Sequence, residues 1–120
     1  MAMSRSRLVS DRFPYLPVRL EVAESVQNVE ALLDTGFDGD FSLPLETIAS
    51  NTAPNGYQQW VLADGSTVLA PYYIGTLRMG ETEVPGVLVT AVGNEPLLGR
   101  GAIMDLTVIL DHGDRVIVEA

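Results

Sequence analysis

Cysteine is absent from the 120 residues. Its absence removes disulfide staples, thiolate nucleophiles and cysteine-held zinc or iron–sulfur centres together, and leaves the redox compartment open. Lysine is absent too. All seven basic residues are arginine, set against 16 acidic ones for a formal net charge of -9. Arg5, Arg7 and Arg12 lie within the first twelve positions, so residues 13–120 hold four arginines against fifteen acids, a net -11. A body of that sign is a poor electrostatic match for a phosphate backbone or an anionic surface, so neither nucleic acid nor a membrane is expected as partner. No run approaches the 18 or so apolar residues of a membrane span, and the first ten residues hold no apolar stretch of signal-peptide length. These features point to a cytoplasmic protein.

Long amphipathic helices are missing as well. What is present is a chain that is 47% hydrophobic, written as short apolar runs between turn residues. Residues 1–12 are polar and basic, without periodicity, and read as a flexible arm. Residues 13–120 read as a single domain, long enough to bury about two thirds of its unfolded surface. Residues 16–22 alternate, with Leu16, Val18, Leu20 and Val22 on one face, the pattern of a half-buried strand. A turn is expected over residues 25–28, then strands over 29–33 and 41–43. Pro44 suits the first turn of a short helix over 45–50. Two apolar runs, residues 57–62 and 67–74, flank Ala63, Asp64, Gly65 and Ser66. Asp-Gly between such runs is a strong hairpin signal. The strand is expected to continue over 75–79, to turn at 80–83 and to return over 84–92, followed by a compact and partly helical stretch over 97–104 and a last hairpin of 106–110 with 116–118. Seven or eight strands, at most two short helices and no βα alternation make the class all-β. A closed or partly rolled barrel is the natural way to protect the strand edges.

Of the eight aspartates, Asp34 stands apart. It follows Ala31, Leu32 and Leu33, an apolar run that should be buried, and precedes Thr35 and Gly36. A carboxylate at the end of a buried strand loses hydration and needs a compensating arrangement. One reading is an Asx turn of the kind that ends many strands. The other is a catalytic carboxylate.

Residues 32–44 resemble the catalytic loop of the retropepsin-like aspartic proteases, especially small bacterial and archaeal members with Phe after Asp-Thr-Gly. Leu97, Leu98 and Gly99 match the second family feature, two apolar residues and a glycine near the C-terminus. The hairpin of residues 60–67 stands where such enzymes carry a flap. The resemblance spans residues 16–118 and implies a small acid-protease β-barrel with a flap hairpin and one or two short helices. It implies a peptidase in which Asp34, Thr35 and Gly36 are catalytic, and Phe37, Ala63, Asp64 and Gly65 belong to the substrate side and flap. Asp38, Leu98, Gly99 and Arg100 would support the active-site loop, with Arg100 ion-paired to Asp38. Trp60 and Tyr57 would pack at the flap base. Phe37 replaces the small residue commoner in the family, and its ring is expected to fill core or to narrow a subsite.

Hydrolysis by aspartates needs two carboxylates beside one water, sharing a proton because both cannot ionise a few ångströms apart. This chain has one Asp-Thr-Gly, and Asp38 and Asp40 lie too near in sequence to mirror Asp34. The partner expected is therefore a second copy, a homodimer with its site on the two-fold axis. The substrate would be an extended polypeptide bound by strand addition. No cofactor and no metal are expected: His112 is the lone histidine, and residues 34–40 lack the spacing and flanking helices of a calcium loop. The alternative is a non-catalytic dimeric β-barrel, a binding or assembly module on the same scaffold.

Overall fold

The computed structural model describes residues 7–48 and 51–120. Ten strands follow one another: β1 (Arg7–Ser10), β2 (Tyr15–Val22), β3 (Ser25–Leu33), β4 (Phe41–Leu43), β5 (Gly56–Val61), β6 (Thr67–Met79), β7 (Thr82–Ala91), β8 (Leu97–Leu98), β9 (Thr107–Asp111) and β10 (Arg115–Glu119). Single 3-10 turns at Leu45–Thr47 and Arg100–Ile103 are the helical segments among the described residues.

The alternation in β2 buries Leu16, Val18, Leu20 and Val22 on one face, as period-two patterning dictates. The larger sheet runs β2-β3-β8-β4-β7-β6-β5, and a further pairing of β2 with β6 closes six of these strands into a barrel. Closure brings Gly75 of β6 opposite Val22. A Cβ at Gly75 would stand 2.6 Å from the Glu21 carbonyl oxygen, so only glycine permits that approach. Leu20, Phe41, Leu43, Leu77, Val89 and Leu98 fill the interior without measurable exposure beyond 1%. The chain is all-β, and β5 with the first half of β6 projects from the barrel as a hairpin.

Several boundaries differ from expectation. The turn read at residues 25–28 falls instead at Ala23 and Glu24, where Ala23 takes a positive φ of 53°, and β3 is already paired from Ser25. Gln27 and Asn28 are polar because they lie on the open part of this strand, opposite Leu20 and Arg19. The helix read over 45–50 is a single 3-10 turn whose first bonds close onto Pro44 and Leu45; residues 49–50 lie outside the described residues. Part of the arm read over residues 1–12 is a paired strand. Arg7–Ser10 pairs with Glu119–Val116 in a second sheet, β1-β10-β9. Leu8 packs on the core, and Ser10 is buried with its hydroxyl donating to the Tyr15 carbonyl at 2.5 Å, so a polar strand is satisfied locally. Residues 1–6 lie outside the described residues.

Candidate active site

The end of β3 and the two-residue strand β8 lie side by side and parallel, Leu32 with Leu97 and Leu33 with Leu98. Leu32 donates to the Pro96 carbonyl and Asp34 to the Leu98 carbonyl, each at 3.0 Å. Strand β4 then returns antiparallel to β8, so β8 is inserted between the two arms of the loop that carries Asp34. This crossing is why Leu98 has no exposed surface and why Gly99 cannot carry a side chain. A Cβ at Gly99 would stand 2.1 Å from the Gly39 carbonyl oxygen and 2.6 Å from the Phe37 ring. Leu98 and Gly99 lie against this loop, Leu98 through its carbonyl to Asp34 and Gly99 through its amide to the Asp40 carbonyl.

Asp34 is half-buried, and its Oδ1 accepts the Gly36 amide at 2.9 Å, an Asx turn. Phe37 donates to the Asp34 carbonyl at 3.2 Å. Thr35 and Gly36 are exposed at the turn's apex, and among the described residues the Thr35 hydroxyl has no partner within the chain. The turn therefore leaves Asp34 Oδ2 and the Thr35 hydroxyl without a hydrogen bond among the described residues.

Arg100 and Asp38 behave differently from expectation. Both side chains are exposed, and among the described residues no ion pair joins them. Arg100 opens the second 3-10 turn, which turns its guanidinium toward water; its main chain makes the bracing contact instead, donating to the Phe37 carbonyl at 2.9 Å. In water the Coulomb gain of such a pair barely exceeds the entropy of holding two long side chains.

The residue that does anchor the loop is Asp40. Its Oδ2 accepts the Leu88 amide of β7 at 2.8 Å, and its carbonyl accepts the Gly99 amide at 2.9 Å. Its Oδ1 occupies the place of a Cβ at Gly101, 2.1 Å from that position, while Gly101 donates to the Gly39 carbonyl at 3.0 Å. The argument that singles out Asp34 applies equally here: Asp40 is a carboxylate abutting a fully buried strand, Phe41–Leu43.

The hairpin turn is built as its Asp-Gly sequence predicts. Leu62 donates to the Ser66 carbonyl at 2.8 Å, Gly65 takes φ 85°, and Asp64 Oδ1 accepts both the Ser66 amide (2.9 Å) and hydroxyl (2.5 Å). Those bonds, the hydroxyl's first, hold the Asp64 carboxyl below its ordinary value of 3.8. Ala63, Asp64 and Gly65 are all exposed, and the tip makes no hydrogen bond to residues 34–40 among the described residues. Contact comes lower down. The Trp60 and Phe37 rings meet at a centroid distance of 5.4 Å, tilted by 49°. Phe37 is thus neither core nor free wall: it wedges between Gly39, Gly99 and Trp60 and couples loop to hairpin. Tyr57 is 61% exposed, because alternation along β5 sends it to the face opposite Trp60. A cleft of about 500 Å³ opens where the hairpin meets the loop, lined by Asp38, Gly39, Asp40, Gln58 and Trp60 among others. The Trp60 indole N–H is buried without an acceptor among the described residues. Among the described residues no group of three or more His, Asp or Glu side chains could hold a metal ion. No helix among them is long and apolar enough to cross a membrane.

No family model and no curated protein matches the sequence. Among solved structures, the chain is similar to a retropepsin-like aspartic protease from Rickettsia conorii, with a TM-score of 0.65 at 13% identity, over 99% of this chain and 94% of that one. At that identity the likeness shows the fold: a small β-barrel of the retropepsin-like acid-protease type.

Proposed function

We propose that the chain is one half of an aspartic endopeptidase. The observation that carries this reading is the Asp34 turn: one carboxylate oxygen tied to the Gly36 amide, the other open, at the apex of a loop locked by β8. Two such loops related by a two-fold axis would hold one water between two Asp34 carboxylates sharing one proton. The ionised Asp34 takes a proton from the water as its oxygen bonds to the substrate's carbonyl carbon. The other Asp34 gives its proton to the carbonyl oxygen. The resulting diol collapses with cleavage of the C–N bond: the leaving nitrogen takes the proton that the first Asp34 accepted, and one diol hydroxyl returns a proton to the other Asp34, which leaves a carboxylic acid and restores the shared-proton pair. Thr35, exposed and without a hydroxyl partner among the described residues, would bond across the axis and fix the two turns. The hairpin of β5 and β6, with Ala63, Asp64 and Gly65 at its tip, would close on an extended peptide laid along the free edge of β5, where main-chain groups recognise any strand. The Phe37–Trp60 pair would set how far that hairpin descends.

A second reading has its own support. A single chain supplies one carboxylate to this place, and a non-catalytic binding or assembly module on the same barrel asks for no second one. Mass-spectrometric profiling of a diverse peptide mixture, at tens of micromolar protein and across about pH 3 to 8, separates the two. Under the peptidase reading the native chain cuts and the Asp34→Asn chain, still dimeric, does not. Absence of Asp34-dependent cuts from a dimeric sample leaves the module.

A further inference from the structure

The cleft between hairpin and loop, about 500 Å³ in volume, has no arginine on its lining. That volume lies within the range of small-ligand sites, about 300–1,000 Å³. Three stretches line it: Asp38 to Asp40, Gln58 with Trp60 on β5, and Leu88 with Thr90 on β7. Leu88 and Thr90 share the face of β7 opposite the core-filling Val87 and Val89. Asp40 is engaged by the Leu88 amide, but three other polar groups are not engaged at all. Asp38 accepts no hydrogen bond and joins no ion pair among the described residues. Gln58 lies on the Trp60 side of β5 by alternation, and its carboxamide has no partner among them either. Thr90 is only 2% exposed, yet its hydroxyl also has no hydrogen-bond partner among the described residues. A polar side chain buried to that extent is ordinarily hydrogen-bonded, so the cleft carries an unmet demand.

We propose that this cleft binds the guanidinium of an arginine residue carried by an extended peptide. A guanidinium offers five N–H donors in one plane and no acceptor. The Asp38 carboxylate takes two of them in a fork, and the Gln58 carbonyl and Thr90 hydroxyl oxygens accept others. The Trp60 indole gives the planar cation a ring to stack on. Other side chains suit the lining less well. A carboxylate would meet Asp38 and Asp40 with no cation beside them. An apolar side chain would cover Asp38 and Thr90 without bonding either, at the cost of their hydration. A lysine ammonium satisfies the carboxylate but has three donors about one point and no plane to stack. At longer range the net -11 of residues 13–120 draws a cationic peptide in. The peptide as carrier rests on the reading of the β5 edge given above. The guanidinium rests on the lining of the cleft alone, and it holds for a peptidase and for a binding module alike.

Trp60 is the lone tryptophan and lines the cleft, so its emission reports occupancy. The Asp34→Asn chain, which removes the proposed cleavage, is titrated with a short peptide of alanine and threonine bearing one central arginine. The same peptide with citrulline keeps the shape and loses the charge, and a third version carries lysine. The arginine peptide is expected to shift the emission saturably and to bind at least about tenfold tighter than the citrulline peptide. It should also bind roughly threefold tighter than the lysine peptide. Adding Asp38→Asn is expected to raise the Kd of the arginine peptide about tenfold and to leave that of the citrulline peptide unchanged. Glu81→Gln removes the same charge from the exposed turn after β6 and should change neither. Calorimetry repeats each titration, so a silent ring is not read as absence of binding, and far-ultraviolet circular dichroism checks that each variant folds. Equal affinity for the arginine and citrulline peptides overturns the inference. So does an Asp38→Asn chain that binds arginine as tightly as its parent, a Glu81→Gln chain weakened as much, or neither heat nor emission change at several millimolar peptide. Cleavage profiling of the native chain keeps the two proposals apart. Arginine-dependent binding without Asp34-dependent cuts removes the peptidase and leaves the site. Asp34-dependent cuts with no difference between arginine and citrulline remove the site and leave the peptidase.

Discussion

The Asp34 loop and the hairpin tip are both turns that present an aspartate to solvent, and they are held in opposite ways. Besides the bond from its own Gly36, the loop takes main-chain bonds from two distant stretches of chain: residues 98–101, from β8 into the 3-10 turn, and Leu88 in β7. Among the described residues the tip is satisfied by itself, through Leu62, Asp64, Gly65 and Ser66. A segment bonded mainly to distant parts of the chain moves only when the barrel opens. One whose bonds are local moves on its own. The difference suits the proposed reading, in which a rigid loop acts beneath a mobile cover, and substitution can probe it at both ends.

The glycines give the sharpest contrast. At Gly99 the backbone is extended, with φ -94°, and the demand for glycine is purely one of space: a Cβ would sit 2.1 Å from a carbonyl oxygen that cannot retreat. Gly99→Ala is therefore expected to cost about 3 kcal/mol, read as a shift in the urea midpoint at unchanged slope. A cost below about 1 kcal/mol would mean that the loop yields, and the contrast with the tip would be lost.

Next in size is the ring pair joining the two regions. Phe37→Ala removes a half-buried ring wedged against Gly39, Gly99 and Trp60 and is expected to cost about 2 kcal/mol. Trp60 is the lone tryptophan, so its emission reports the same event: it should move to longer wavelength as water reaches the vacated place. Unchanged emission would show that Trp60 is positioned by its own hairpin rather than by the loop.

These same residues mark where sequence is legible. The hairpin of β5 and β6, the alternation of β2 and the pairing of β9 with β10 are read correctly because each signal is local: an Asp-Gly turn, a period of two, a short connection. The likeness of residues 32–44 and 97–99 to a known pattern locates the loop and strand that the structure brings together. Strand β8 is illegible by periodicity, since two residues have no period and its parallel partner β3 lies far away in sequence. Strand β1 is missed because Arg7 and Ser10 look like solvent-facing chain, whereas Ser10 is buried by a hydroxyl bond that only the folded Tyr15 provides. Asp40 escapes notice because proximity to Asp34 makes it seem redundant, although its oxygens replace the missing side chain of Gly101.

At the tip the demand is reversed. Nothing lies within 4 Å of a Cβ at Gly65, but its φ of 85° is one that L residues avoid. Gly65→Ala should cost about 1 kcal/mol, from backbone strain alone. Acid should loosen the same turn. The Asp64 carboxyl is held below its ordinary value by the Ser66 hydroxyl and then the Ser66 amide, so its contribution is present above pH 3.8 and is lost as pH falls further through the folded-state value. Amide exchange at Ser66, slow near pH 5 relative to an unstructured reference, should lose that protection in acid before the Asp34 loop does. Simultaneous loss in both regions would make them one cooperative unit.

The smallest effect is expected where the family pattern suggested a large one. Arg100 makes its contact to the loop through its amide, which any residue supplies, and its guanidinium has no carboxylate partner among the described residues. Arg100→Ala should therefore change monomer stability by no more than about 0.5 kcal/mol, and Asp38→Asn by no more. Chemical denaturation at two protein concentrations makes this informative. A cost that is absent in dilute protein and grows with concentration would place the guanidinium against a partner chain. A cost that is present and equal at both would mean the bracing is intrachain after all, and the loop would then depend on a side chain where its geometry assigns the work to main-chain bonds.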